Sequence, residues 1–181
     1  RRTGENLAMA SLAALIDIRR NSQRFILAQP RLGATVRSFE SPVRPVWRDV
    51  LKKDKMTVEV QCLSIGDVAF VALPGEPVCE LGQEIKWHSP FRRTFIAYGG
   101  IGNCGYVSPA NFMAAGAYEP QYQQFASKDT LTLVVAARDA LFETRAKTFP
   151  EDERAPGGYP DNLNLPLVNL PGGVKASKWQ H

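Results

Sequence analysis

Two apolar runs separated by a short turn constrain the fold of this chain more than any other feature. The first run, residues 56–64, alternates apolar and polar side chains, which predicts a strand with one solvent-exposed face. The second run, residues 68–73, is continuously apolar, which is typical of a strand covered on both faces. Gly66 and Asp67 lie between the runs and favour a turn. The pattern therefore predicts a β-hairpin at the centre of the chain.

Helical and strand-like segments flank this hairpin. Apolar residues at helical spacing predict helices over residues 5–18, 78–88 and 130–147, with Ser127 as a candidate N-cap of the last one. Residues 33–39 and 93–98 have the pattern of further strands. Together these segments predict a mixed α/β (α+β) fold in which strands pack with helices.

Length and composition suggest one domain followed by an arm. We expect residues 1–149 of the 181 to form the α/β domain and residues 150–181 to be an extended arm or tail, because Pro and Gly are frequent after Phe149. The series Leu163, Leu165, Leu167 and Leu170 would suit an arm that binds a neighbouring domain or subunit. The chain starts with Arg1, and we expect further sequence to precede it, so that the α/β part is the C-terminal portion of a larger catalytic domain.

Charge and hydropathy argue against two classes of partner. The net charge is +4, but acidic and apolar residues interrupt the basic ones, so a nucleic-acid-binding surface is not predicted. No apolar run approaches the roughly 20 residues that a transmembrane helix needs. The three cysteines lie far apart without CxxC spacing, which argues against a full disulfide framework.

Glu76 is the first candidate site residue. It lies in the string Pro74-Gly75-Glu76-Pro77, where the buried strand ends and a helix is about to begin. Ligands of α/β proteins bind outside the carboxyl ends of strands, which favours a functional carboxylate here. A carboxylate near a helix N-terminus also interacts favourably with the helix dipole, so a purely structural role stays open.

Tyr106 is the second candidate. It follows a glycine-rich turn, residues 99–105, after the predicted strand 93–98. Glycines in such a position permit close backbone packing near a site. A phenol there can bind a metal or donate to an oxyanion, although an ordinary core tyrosine fits the pattern equally well.

These segments resemble one family. The run 60–69 with its Ile-Gly-Asp turn, the Pro-Gly-Glu string, Gly105-Tyr106-Val107-Ser108-Pro109 and Gly116-Ala117-Tyr118-Glu119 are similar to segments of the neutral, non-lysosomal ceramidases and their bacterial relatives. The resemblance covers roughly residues 57–141.

The resemblance implies a zinc-dependent amide hydrolase. In that family two histidines, a glutamate and a tyrosine hold one zinc ion, which activates water for cleavage of an N-acyl amide such as ceramide. By this similarity Glu76 and Tyr106 would bind zinc, and Tyr106 and Tyr118 would be catalytic. Tyr118 would lie near the reacting carbonyl and hydrogen-bond the developing oxyanion. A secreted, periplasmic or membrane-peripheral location would follow by the same analogy.

One departure from the family matters for this expectation. The family's histidine ligands lie upstream of the glutamate, whereas this chain has no histidine before His88. We therefore expect the remaining zinc ligands to come from an upstream segment or a companion chain. Two alternatives stay open, namely a non-catalytic, ceramidase-like structural or interaction subunit of a larger assembly and a metal-dependent hydrolase of sugar or peptide amides.

Overall fold

The computed structural model describes residues 2–22 and 29–151, and the chain divides into two compact units, Arg1–Pro30 and Arg31–His181. The first unit contains helix α1 (Arg2–Arg20), which includes the predicted helix 5–18. Arg19 and Arg20 lie in its last turn, where positive charge interacts favourably with the helix dipole. No helix in the described part of the chain is both long and apolar enough to span a bilayer.

A four-stranded sheet forms the centre of the second unit. Its strands are β1 (Leu32–Pro42), β2 (Lys55–Ile65), β3 (Val68–Ala72) and β5 (Arg93–Ala97), in the order β1-β2-β3-β5. The β1–β2 and β2–β3 pairs are antiparallel, whereas β3 and β5 are parallel. The predicted hairpin is confirmed, with Gly66 in the left-handed conformation at its turn (φ 55°). Two short strands, β4 (Glu76–Pro77) and β6 (Tyr106–Val107), form a separate parallel pair.

Two helices connect strands of this unit, and three more follow the last strand β6. They are α2 (Pro45–Leu51), α3 (Cys79–Trp87), α4 (Ala110–Ala114), α5 (Tyr118–Gln121) and α6 (Thr130–Thr148), with a 3₁₀ turn at Ser127–Asp129 before α6. The predicted cap was wrong: Ser127 belongs to the 3₁₀ turn, and Asp129 holds the N-cap position without a side-chain cap bond.

The hydrophobic core lies between one face of the sheet and helices α3 and α6. Buried side chains from the sheet include Val58, Val60 and Val71, and those from the helices include Ile85 and Leu141. Helix α6 also approaches β1 very closely at one point. A Cβ atom on Gly33 would lie 2.2 Å from Thr148 Oγ1, so glycine at this position is required for the observed packing.

The other face of the sheet is not covered by any element among the described residues of this unit. Phe70 projects from β3 to this face and is exposed, and its ring stacks on that of Phe95 at a centroid distance of 5.4 Å. The prediction that residues 68–73 are covered on both faces was therefore wrong, because helices in the described range pack on one face only.

The predicted fold class, helices packed with a mixed sheet, is confirmed. The predicted arm lies outside the described residues beyond Glu151.

A buried arginine connects the hairpin turn to helix α6. Arg145 on α6 forms an ion pair with Asp67, which also accepts a hydrogen bond from the Arg92 backbone N–H at 3.0 Å. The Arg145 guanidinium lies over the rings of Phe91 and Phe149, at 5.4 Å and 4.0 Å from their centroids. Asp67 therefore does more than form a turn, because it pairs with a buried guanidinium that lies over two aromatic rings.

Candidate functional site

The parallel strands β3 and β5 end side by side, and the loops that follow them build the candidate site. Ala72 and Ala97, the last residues of the two strands, are partners in the sheet. The Leu73 N–H then donates to the Ala97 carbonyl at 3.0 Å, and the Gly99 N–H donates to the Gly75 carbonyl at 2.7 Å. The Pro-Gly-Glu loop and the glycine-rich turn thus form one hydrogen-bonded platform at the carboxyl end of the strands, where α/β proteins bind ligands.

Glycine makes the close contact between the two loops possible. Gly75 and Gly105 both have positive φ angles, 64° and 73°. A Cβ atom on Gly75 would lie 2.1 Å from the Gly105 carbonyl oxygen, and one on Gly105 would lie 1.9 Å from the Tyr122 carbonyl oxygen. Any larger residue at these positions would separate the loops or shift the segment around Tyr122.

Glu76 and Tyr106 are direct partners in the β4–β6 pair. The Glu76 N–H donates to the Gly105 carbonyl at 3.0 Å, which fixes the backbone of the two residues. The negative charge of Glu76 and a hydrogen bond from the phenol to its carboxylate raise the pKa of Tyr106. The two residues predicted from separate motifs therefore meet in space, with Tyr106 as a protonated donor and Glu76 as the acceptor.

Tyr118 adjoins this pair as part of a tyrosine cluster, Tyr106, Tyr118 and Tyr122. The Tyr118 ring centroid lies 6.2 Å from that of Tyr106 and 4.8 Å from that of Tyr122. A hydrogen bond to Tyr122 raises the pKa of Tyr118. Tyr122 was missed by the sequence reasoning, although its spacing of four from Tyr118 places both residues on one side of a helical turn.

An open cleft of about 460 Å³ lies beside these residues. Its lining includes three carboxylates and two phenols, Glu76, Glu80, Glu119, Tyr98 and Tyr106. Of these, Glu80, Glu119 and Tyr98 were not predicted as site residues. Glu119 lies in the quoted Gly116-Ala117-Tyr118-Glu119 motif, which was the one signal that could have identified it. The cleft is therefore acidic and aromatic, and its polar groups are suited to accept and donate hydrogen bonds.

Zinc requires more donors than this cleft provides. A catalytic zinc site usually has three protein ligands and a water molecule. Glu76 and Tyr106 offer two oxygen donors, and residues 2–22 and 29–151 contain no group of three or more His, Cys, Asp or Glu side chains that could hold a metal ion. His88 is not among the cleft-lining residues and therefore adds no ligand to this cleft. The described residues thus do not complete a zinc site.

The three cysteines differ in reactivity because they differ in burial. Cys62 and Cys104 are buried free thiols, whereas Cys79 is exposed at the cleft. Burial raises the pKa of Cys104 from 9.0 to about 12 and also raises that of Cys62. A hydrogen bond to Glu80 and its negative charge raise the pKa of Cys79.

We expect one thiol to react with Ellman's reagent in the native protein at pH 8 and three to react in denaturant. Rapid native labelling of three thiols would contradict the packing of Cys62 and Cys104.

The stability of the fold should also depend on pH through Cys104. Because the pKa of Cys104 is higher in the folded state, its contribution to stability is complete below pH 9 and is lost as the pH rises towards about 12. The free energy of unfolding should therefore fall over this alkaline range.

Comparison with known proteins adds no independent assignment. No family model, curated protein or solved structure was found to match this chain. The ceramidase-like relationship therefore stays a prediction that rests on the motifs themselves.

Proposed function

We propose that the cleft at Glu76 and Tyr106 is this chain's part of the active site of a zinc-dependent amide hydrolase resembling the neutral ceramidases. The observation that carries the proposal is the pairing of Glu76 with Tyr106 on adjacent strands, with Tyr118 in ring contact. These three residues belong to three separate sequence motifs, and their convergence in one cluster beside the cleft is the arrangement that a shared reaction centre needs.

The protonation states of the cleft residues suit the hydrolysis of an amide. Attack on an amide carbonyl places negative charge on its oxygen, and preorganised donors stabilise that charge. Phenols are protonated at neutral pH, and both pKa values are raised further, that of Tyr106 by the Glu76 carboxylate and that of Tyr118 by hydrogen bonding to Tyr122. Tyr118 is the proposed donor for a developing oxyanion, because its hydrogen bond to the neutral Tyr122 phenol is weaker than the bond of the Tyr106 phenol to the Glu76 carboxylate and is more readily exchanged.

The proposal assigns the remaining zinc ligands to sequence outside this chain. An upstream segment or a companion chain would supply the histidines, and the open cleft leaves room for their approach. The substrate would be an N-acylated, lipid-like amide or a related amide. Specificity for ceramide follows from the resemblance alone.

Substitution of Glu76 tests this assignment. In the complete protein, Glu76→Gln should lower the bound zinc measured by atomic absorption and reduce kcat/KM for a fluorogenic N-acyl amide by about 100-fold or more, since it removes a charged ligand and keeps the side-chain shape. Glu80→Gln is the matched control, because Glu80 lines the same cleft and is not a proposed ligand. We expect it to retain zinc and most of the activity.

Two results would count against the assignment. Unchanged zinc content and unchanged activity in Glu76→Gln would remove Glu76 from the metal site. Equal losses in Glu76→Gln and Glu80→Gln would indicate a general effect of cleft charge instead of ligation by Glu76.

A second candidate function is a non-catalytic interaction subunit. It is favoured by the exposed aromatic surface beside the cleft, since Tyr98, Tyr118 and Tyr122 are 48%, 60% and 42% exposed. Tyrosines are enriched at interfaces because the ring contributes apolar contact area and the hydroxyl stays hydrogen-bonded. Absence of both zinc and amidase activity in the complete wild-type protein would favour this candidate.

A further inference from the structure

The open face of the four-stranded sheet has an apolar half and a polar half. The apolar half is formed by residues at one end of the strands, namely Leu32, Leu63, Ile65, Val68, Phe70 and Phe95. The polar half lies further along β1 and β2, where Ser38 is the partner of Glu59 and Glu40 is the partner of Thr57. Leu63 and Phe95 are each 53% exposed. A contiguous patch of this kind on a sheet is typical of a surface that binds another segment or protein.

The described part of the chain ends beside this apolar half. Glu151 forms an ion pair with Arg31, whose guanidinium also donates to the Thr148 carbonyl at 3.3 Å. Arg31 directly precedes Leu32, and its carbonyl accepts a hydrogen bond from the Gly66 N–H at 2.8 Å. Residues 152–181 therefore start at the end of the sheet where the exposed apolar side chains are concentrated.

We propose that residues 163–170 of the C-terminal segment bind across the apolar half of this open face. Leu163, Leu165 and Leu167 alternate with Asn164 and Pro166. In an extended chain successive side chains point to opposite sides, so the three leucines would face the sheet together. This inference concerns the sheet surface and is independent of the function proposed for the cleft.

The length of the connection is sufficient for this arrangement. Residues 152–162 separate Glu151 from Leu163, and an extended chain of this length spans about 35–40 Å. A sheet and a layer packed on it are separated by only about 10 Å. The segment can therefore pass around the end of the strands and reach the patch.

Pro166 distinguishes binding to the face from pairing at the edge of the sheet. Strand β1 is an edge strand of 11 residues, and an added strand would need backbone N–H groups to pair with it. Pro166 lacks this N–H, which disfavours a regular ladder through the middle of the leucine series. Binding across the face requires no such ladder and buries the leucine side chains directly.

Charge at the rim of the patch is complementary to the connection. Arg92 and Arg93 are exposed at the start of β5, next to Val68 and Phe95. The connection carries Asp152, Glu153 and Asp161 with Arg154 as its one basic residue. Opposite charges of this kind would guide the segment towards the patch.

The protection of an engineered thiol tests the proposal in the full chain. In a Cys79→Ser background, Leu63→Cys places a reactive thiol within the patch, while Cys62 and Cys104 stay buried. Replacement of Leu163, Leu165 and Leu167 by serine should accelerate maleimide labelling of position 63 at least tenfold.

Two controls accompany this test. Asn162→Ser with Asn164→Ser alters the other side of the extended segment and should leave the labelling rate at position 63 unchanged. Leu131→Cys, exposed on α6, should label equally fast with and without the leucine substitutions.

Other occupants of the patch predict different results. A rate at position 63 that is unaffected by the leucine substitutions would overturn the proposal. Protection that is present only at concentrations where sedimentation shows a dimer would assign the patch to a second copy. Protection lost on Leu12→Ser with Leu15→Ser would assign it to helix α1. Continued protection of Cys62 and Cys104 in every variant confirms that the fold is intact.

Discussion

Gly105→Ala is expected to lower the free energy of unfolding by about 3–5 kcal/mol, because it combines an unfavourable backbone conformation with an overlap of backbone atoms. The φ angle of Gly105 is 73°, and an added Cβ would lie 1.9 Å from the Tyr122 carbonyl oxygen. Rotation of a side chain cannot relieve a contact with a backbone atom, so the segments at Gly105 and Tyr122 must separate. Urea unfolding followed by circular dichroism measures the loss of stability.

Gly116→Ala is the matched control for this substitution. Gly116 has nearly the same φ angle, 74°, but an added Cβ would meet no atom within 4 Å. We expect a loss of only about 1–2 kcal/mol, which corresponds to the backbone conformation alone. Equal losses for the two variants would mean that the close approach of Gly105 to Tyr122 does not contribute to stability, and the platform beneath the cleft would need to be reconsidered.

Arg145→Ala should lower the free energy of unfolding by about 2–4 kcal/mol, because it removes a buried guanidinium and leaves the rings around it poorly packed. The Arg145 side chain is 8% exposed and pairs with Asp67, which is 36% exposed. Partial exposure of Asp67 lets water solvate the carboxylate that remains, so we expect a loss below that of a fully enclosed ion pair. The measurement is again urea unfolding.

Lys147→Ala provides the control on the same helix. Lys147 also forms an ion pair, with Glu143 at 2.7 Å, but its side chain is 53% exposed. Exposed pairs of this kind contribute about 0–1 kcal/mol, and salt screens them further. A loss for Arg145→Ala no larger than that for Lys147→Ala would show that enclosure by Phe91 and Phe149 adds nothing to the stability of the fold.

The central part of the fold could be predicted because its signals are local. The alternation of residues 56–64, the turn at Gly66 and the apolar run 68–73 each reflect the period of a strand, and the structure contains the predicted hairpin. Short helices such as α2 and α5 were not predicted, because four to seven residues give too little periodicity to recognise. The cap at Ser127 was predicted wrongly, since a 3₁₀ turn before α6 moved the N-cap position to Asp129.

The candidate site was predictable only in part. Glu76, Tyr106 and Tyr118 were identified from their motifs, and the structure places them in one cluster. Their roles as zinc ligand and oxyanion donor stay predictions. The proximity of Glu119 and Tyr122 to Tyr106 became visible only in the structure, because it depends on a loop distant in sequence from the Pro-Gly-Glu string. Glu80 lies only four residues after Glu76 and was overlooked because a carboxylate in the first turn of a helix is common.

By itself, the sequence determined the central hairpin and the longer helices, because these depend on neighbours within a few residues. Only the tertiary structure decided that β3 and β5 run parallel and end together, and that Gly75 and Gly105 bring Glu76 opposite Tyr106. It also left one face of the sheet uncovered by the described helices. Contacts between distant segments depend on the packing of the whole chain, which no local pattern encodes.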